Sequence, residues 1–226
     1  VSDRDESYLN GKFIGKTGDF NSDKPQSYDK IRIYQIPENL LQKNKENILL
    51  LKIGAYFPDE IGITQDFASI GPSLLIEKDF YRTEYFKLIL LMVYFTAGGY
   101  FLFLFIRRRK EYENLFFGLF TFCLVLYQFF RNQVKYDLNF EFLTMKKIEY
   151  MILPILIPIF YHFIRTLFKY PYHIVIKLTD ASQSAIFLFF MFSSNIVLFN
   201  TITTNLVQPL WLVSLSFLIA HLIKKI

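Results

Sequence analysis

The sequence predicts a mainly α-helical membrane bundle of five transmembrane helices, preceded by a small all-β domain. Three observations predict it. The 226 residues are 53% hydrophobic and 19% aromatic, with 27 Phe and a positive mean hydropathy, which is too apolar for a soluble domain of this size. Past residue 85 the apolar residues gather into long runs almost free of ionised side chains. The first 80 residues instead show short apolar stretches between Gly, Pro and Asn turns, the pattern of an all-β sandwich or barrel.

Within residues 1–80, "DKIRIYQI" (29–36) sets Ile31, Ile33 and Ile36 against polar neighbours and predicts a half-buried strand. Pro37 opens a short helical turn that exits at 44–47. "ILLLKIGAYF" (48–57) predicts a second, more deeply buried strand, 58–63 a turn, and 68–78 a last strand interrupted by Gly71-Pro72. So few strands make a thin sandwich, and the domain is expected to continue upstream. No signal-peptide pattern opens the chain and an apolar run ends it, so a piece of a longer protein is expected.

Residues 88–106 are 19 consecutive uncharged residues, about 28 Å of helix and close to the hydrocarbon thickness. With its flanks this predicts a first span over about 85–106. The second covers 114–130 and the third 148–168, where Arg165 can snorkel to the headgroups. Residues 181–223 are 43 residues without an ionised side chain, about 65 Å as one helix, so the chain must fold back. "NTITTN" (200–205) is the expected reversal, giving spans at 182–199 and 206–223. The runs are apolar all round, unlike buried helices of soluble cores, which keep a polar face.

Several function classes are excluded. A net charge of +5 spread beside apolar runs is no continuous basic face, so nucleic acid is not an expected partner. The single cysteine, Cys123, can form no disulfide within the chain. His162, His173 and His221 lack the spacing and the carboxylate or thiol neighbours of a metal site. No Gly-rich phosphate loop, GxSxG elbow or HExxH motif occurs, so no catalytic, cofactor or metal residues are assigned. The spans carry no ionisable residue at their centres, which counts against an ion-coupled transporter.

Orientation follows from the basic residues. With residues 1–80 outside, the inner segments hold nine Lys/Arg: Arg107, Arg108, Arg109, Lys110, Arg165, Lys169, Lys177, Lys224 and Lys225. The outer segments hold seven: Lys78, Arg82, Lys87, Arg131, Lys135, Lys146 and Lys147. The densest cluster, Arg107–Lys110, flanks the first span, which usually dominates orientation. It is the expected topology-setting cytoplasmic loop of a bacterial inner-membrane protein, with an extracytoplasmic N-terminal domain and the C-terminus inside.

Two stretches carry a family resemblance. "KIRIYQIPENLLQKNKENILLLKIGAYFPDEIGI" resembles the closing half of a jelly-roll, carbohydrate-binding-like domain. "RRRKEYENLFFGLFTFCLVLYQFFRNQ" and "IEYMILPILIPIFYHFIRTLF" are similar to the first loop with second span, and to the third span, of bacterial seven-transmembrane receptors with diverse intracellular signalling modules. The resemblance runs from about residue 11 to 226 and implies a sensor. An outer jelly-roll-like domain reads a ligand, and the bundle relays it to a cytoplasmic effector (histidine kinase, diguanylate cyclase, nucleotide cyclase or phosphatase). This chain departs from the family in having five spans and no effector. The expected partners are the lipid bilayer, an extracytoplasmic ligand (a carbohydrate by the resemblance), a cytoplasmic effector domain and a second copy of the chain. The other readings are a membrane anchor for an enzyme whose catalytic domain lies outside this sequence, and a transporter or structural membrane protein.

Two constellations bear on such a relay. Arg131 ends span two and Glu149 begins span three, so adjacent antiparallel helices would bring them together at the outer interface, unless each faces headgroup water. Pro154 and Pro158 stack on one face of span three and remove two backbone hydrogen bonds, making either a signalling hinge or a static bend.

Overall fold

The computed structural model describes residues 3–56, 62–63, 68–138 and 140–223. Most of the expected turn at 58–63, and Lys224 and Lys225, lie outside the described residues. The chain divides into two compact units, Val1–Tyr85 with Tyr136–Leu143, and Phe86–Lys135 with Thr144–Ile226.

Unit 1 contains a three-stranded antiparallel sheet in the order β2-β1-β3, with β1 Arg4–Leu9, β2 Lys12–Thr17 and β3 Leu49–Gly54. Asn10-Gly11 joins β1 to β2 with both φ angles positive, 50° and 79°. That two-residue turn matches the twist of the strands and suits Asn-Gly. Asn10 also fastens the hairpin tip: its amide donates to the Leu40 carbonyl, and its side-chain oxygen accepts from the Ile48 N–H, each at 2.9 Å. In the register, Glu6 faces Lys52, which reaches its carboxylate at 3.1 Å.

Among the described residues the segment expected as a strand at 29–36 is not part of the sheet. Its side chains contact the sheet, and its alternation works in the opposite sense. Ile31 and Ile33 are exposed, while Arg32 and Tyr34 converge on Asp5 of β1. Arg32 Nε lies 2.9 Å from Asp5 Oδ1 and the Tyr34 hydroxyl donates to Oδ2 at 2.8 Å. The reason is electrostatic: a buried carboxylate must be paired and hydrogen-bonded. Tyr34 lies flat over Gly15, where a Cβ would stand 2.4 Å from a ring carbon. β3 is also less buried than its sequence suggests, since Leu49 and Leu50 are exposed. The strand expected at 68–78 is instead coil and then helix. Gly71-Pro72 initiates it, and the Pro72 carbonyl accepts from Leu75 and Ile76.

Five helices are long and apolar enough to cross a membrane: α1 (Ser73–Arg107), α2 (Tyr112–Arg131), α3 (Phe142–Phe168), α4 (Ile174–Phe192), and a fifth continuous over Ile196–Ile223. α1 is about 52 Å long and, apart from Arg107 at its end, carries its charged residues before Leu88. The fifth consists of α5 (Ile196–Ile202), a π turn (Thr203–Val207) and α6 (Gln208–Ile223). The reversal between spans four and five thus lies at 193–195, not at 200–205. "SSN" is a capping signal: the Asn195 side chain accepts from Leu198 N–H, as N-cap residues do. Inside the helix Thr201 donates back to the Val197 carbonyl at 3.2 Å, so "NTITTN" stays helical. The sequence "PYH" before α4 caps likewise, His173 accepting from Val175 N–H.

Unit 2 packs largely by aromatic rings. Phe101 meets Phe117 at 4.4 Å, and Phe117 meets Phe163 at 5.1 Å, linking α1, α2 and α3. Tyr161, Ile176 and Leu218 bury together between α3, α4 and α6. Phe190 and Phe199, 4.8 Å apart, close the opposite end beside Tyr150.

Candidate functional site

The sequence-predicted residues all lie in unit 2. Arg107 closes α1 and residues 108–111 form a tight reversal to α2. Arg107, Arg108, Arg109 and Lys110 are all exposed. Arg107 lies over the Phe103 ring at 5.6 Å, and Arg108 reaches Glu111 at 3.3 Å. Pro154 and Pro158 sit inside α3, which stays helical through both, with Pro154 almost fully buried.

Arg131 and Glu149 each have a partner on their own helix. Arg131 donates to the Tyr127 hydroxyl at 2.8 Å and lies over the same ring. Glu149 accepts from Lys146 at 2.6 Å, and both side chains are largely buried, 5% and 12% exposed. A double-mutant cycle distinguishes the two cations. We expect Lys146 and Glu149 to couple by about 1.5–3 kcal/mol in detergent, as charged hydrogen bonds do. Arg131 and Glu149 should couple by less than about 1 kcal/mol. The opposite ranking would support the interhelical pair.

The most developed constellation is one that the sequence did not single out. The segment joining α2 to α3, Tyr136–Leu143, belongs to unit 1, although the body of each helix belongs to unit 2. Side-chain contacts build it in. The Tyr136 hydroxyl donates to Asp29, and Lys30 lies over the Tyr136 ring at 5.3 Å. Phe142, buried, meets Tyr28 edge-on at 5.3 Å. Glu141 faces Lys24 at 3.8 Å on the surface. Burial, and then the Asp29 carboxylate, push the Tyr136 phenol far above its ordinary range, so it remains a proton donor at any physiological pH. Lys24, Tyr28, Asp29 and Lys30 all sit on the segment just before Arg32 and Tyr34, which is fastened to the buried Asp5. The α2–α3 connector is therefore tied, two links away, to the core of the sheet.

Among the described residues no three His, Cys, Asp or Glu side chains converge as metal ligands. Local periodicity could not have revealed these contacts, because Asp29 and Tyr136 are 107 positions apart. The only local hint was an aromatic-rich loop, "KYDLNFEF", between two spans.

Five long apolar helices describe a multi-pass membrane protein. No curated protein and no solved structure matches the chain. The family model for 7TM diverse intracellular signalling matches residues 83–226, the greater part of the sequence, and the chain belongs to that family of transmembrane signalling domains.

Proposed function

We propose that the chain is the sensing and relaying part of a bacterial inner-membrane receptor, with unit 1 outside and the Arg107–Lys110 loop inside. Unit 1 takes an extracytoplasmic ligand, of carbohydrate type by the resemblance, and the bundle passes the event to a cytoplasmic effector. The observation that carries this reading is the α2–α3 connector. A change within unit 1 that moves the 24–34 segment must move Tyr136–Leu143 too, and with them the ends of α2 and α3. α3 carries Pro154 and Pro158 on its way to the far end, where missing backbone hydrogen bonds lower the cost of bending. A relay needs only a ligand that favours one of two helix arrangements.

The test compares wild type with the Asp29→Ala/Tyr136→Phe double variant in nanodiscs by hydrogen exchange. Releasing the connector is expected to change protection at residues 160–168, at the other end of α3, by at least severalfold. Unchanged protection there, with unit 1 still folded, would leave the helices as an anchor rather than a relay.

A further inference from the structure

At the end of unit 2 that carries Arg107–Lys110, four polar side chains from α3, α4 and the turn between them form one network. α3 ends with Lys169 at φ 55°, Tyr170 N–H bonding the Arg165 carbonyl at 2.9 Å and Lys169 N–H the Thr166 carbonyl at 3.3 Å. This is the helix-ending motif that normally uses Gly. The chain then turns back over the helix end. His162 Nε2 meets Asp180 Oδ2 of α4 at 2.9 Å, and the Tyr172 hydroxyl donates to the same oxygen at 2.6 Å. Arg165 Nε donates to His162 Nδ1 at 3.3 Å, and its guanidinium lies over the Tyr172 ring at 5.3 Å.

The protonation state follows from these partners. Arg165 can only donate, so Nδ1 must be the acceptor; the imidazole is then neutral and carries its proton on Nε2, aimed at Asp180. His162 and Asp180 are both more than four-fifths buried. Several groups face the imidazole: Phe116 of α2 stacks on it at 5.2 Å, Tyr161 of α3 and Tyr172 meet it edge-on, Arg165 and Asp180 hold its nitrogens, and Lys177 stands over Tyr172.

We propose that His162 is a proton-binding site that controls the α3–α4 turn. With the ring neutral, one imidazole bridges Arg165 and Asp180 and holds the turn through Tyr172. A proton added at Nδ1 puts an N–H against the Arg165 N–H. That hydrogen bond is lost and two cations are left side by side, while the imidazolium pairs with the Asp180 carboxylate. Arg165 then leaves, taking its contact with Tyr172. The sign follows from the geometry: acidification leaves the 169–173 turn held by the Tyr172–Asp180 hydrogen bond without Arg165, and neutral or alkaline conditions hold it through both. The site would then report the pH on its own side of the membrane. That side is the cytoplasm if the orientation proposed above holds, but the proton site itself does not depend on the orientation.

The test reads the imidazole directly. The chain has three histidines, so 15N spectra of the ring nitrogens in nanodiscs can be assigned with His173→Gln and His221→Gln. At pH 8.5 His162 should show the neutral Nε2–H form, and on lowering the pH to 5 its Nδ1 should gain a proton. Over the same range hydrogen-exchange protection of 169–173, corrected for intrinsic rates, should fall at least fivefold in wild type. His162→Gln can still donate to Asp180 and accept from Arg165, so it should stay protected throughout, whereas His221→Gln should respond as wild type. A proton on Nδ1 at pH 8.5, a ring that does not titrate, or a pH response that persists in His162→Gln would each overturn the proposal.

Discussion

Asp5→Ala is expected to unfold unit 1. Asp5 is 1% exposed in its side chain and its partner Arg32 is 7% exposed. Removing one partner of a buried ion pair leaves an uncompensated charge and costs about 3–5 kcal/mol, a large part of the stability of a unit this small. The loss also removes the acceptor of Tyr34 and Ser7. Thermal melting and limited proteolysis of the whole chain should show residues 3–56 cleaved at a temperature where the helices survive. Replacing both partners, Asp5→Leu with Arg32→Met, should recover much of the loss, because an apolar pair incurs no desolvation cost. If Asp5→Ala costs less than about 1 kcal/mol, the pair does not organise the sheet. Alkali should act in the same place. Burial, with the Asp5 hydrogen bond adding to it, pushes the Tyr34 phenol up to about 12. A raised folded-state value favours the neutral phenol, so its contribution is complete below about pH 10 and lost as pH rises towards 12. In Tyr34→Phe that alkaline loss should be smaller.

Gly98 and Gly118 should tolerate no side chain, while Gly99, next in sequence to Gly98, should accept one. A Cβ on Gly98 would stand 2.4 Å from Thr121 Oγ1 and 3.1 Å from the Phe122 ring. Thr121 cannot easily give way, because its hydroxyl is committed to the Phe117 and Gly118 carbonyls. A Cβ on Gly118 would meet the Leu102 methyl at 2.6 Å and the Gly98 carbonyl at 3.1 Å. Here α1 and α2 approach closely, as small residues allow in membranes. Gly98→Ala should cost about 1–3 kcal/mol by overpacking, and Gly98→Leu should prevent the two helices from docking. Gly99 faces open space, so Gly99→Ala should be neutral or gain up to about 1 kcal/mol in helix propensity. Thermal unfolding in detergent, read by size-exclusion chromatography, orders the three variants. Equal effects at 98 and 99 would show that this crossing is not where the helices touch.

What could be read from the sequence was set by physics that is local along the chain. Five runs of apolar residues name five helices, because a membrane span must bury its whole length and needs no distant partner to be recognised. Element ends were less legible. Asn and Thr at 200–205 look like a turn by composition, but hydroxyl side chains can bond back to their own helix, as Thr201 does. Ser193 to Asn195, assigned to a span, turned out to cap two helices. In unit 1 the alternation at 29–36 was real, but which side faces inward depends on Asp5, more than twenty residues away. The Asn10-Gly11 hairpin was the one local signal present and unused. The two polar sites fared worst. Tyr136 with Asp29, and His162 with Asp180, are each assembled from different elements, and nothing in either stretch alone announces its partner. Asp180 stands at the very edge of the uncharged run, which is the one place where the sequence hinted that a charge was being kept close to the bundle.

Topology is the most direct test of the receptor reading, and single cysteines in a Cys123→Ala background measure it. Lys43 lies in an exposed loop of unit 1 and Lys110 in the exposed α1–α2 reversal. In intact spheroplasts a membrane-impermeant maleimide should modify a cysteine at position 43 and spare one at 110; the latter should react once the membrane is broken. Labelling at 110 with protection at 43 would invert the protein in the membrane. Labelling of both before lysis would deny that α1 crosses it, and either outcome would contradict a sensor outside connected through α2 and α3 to the cytoplasm.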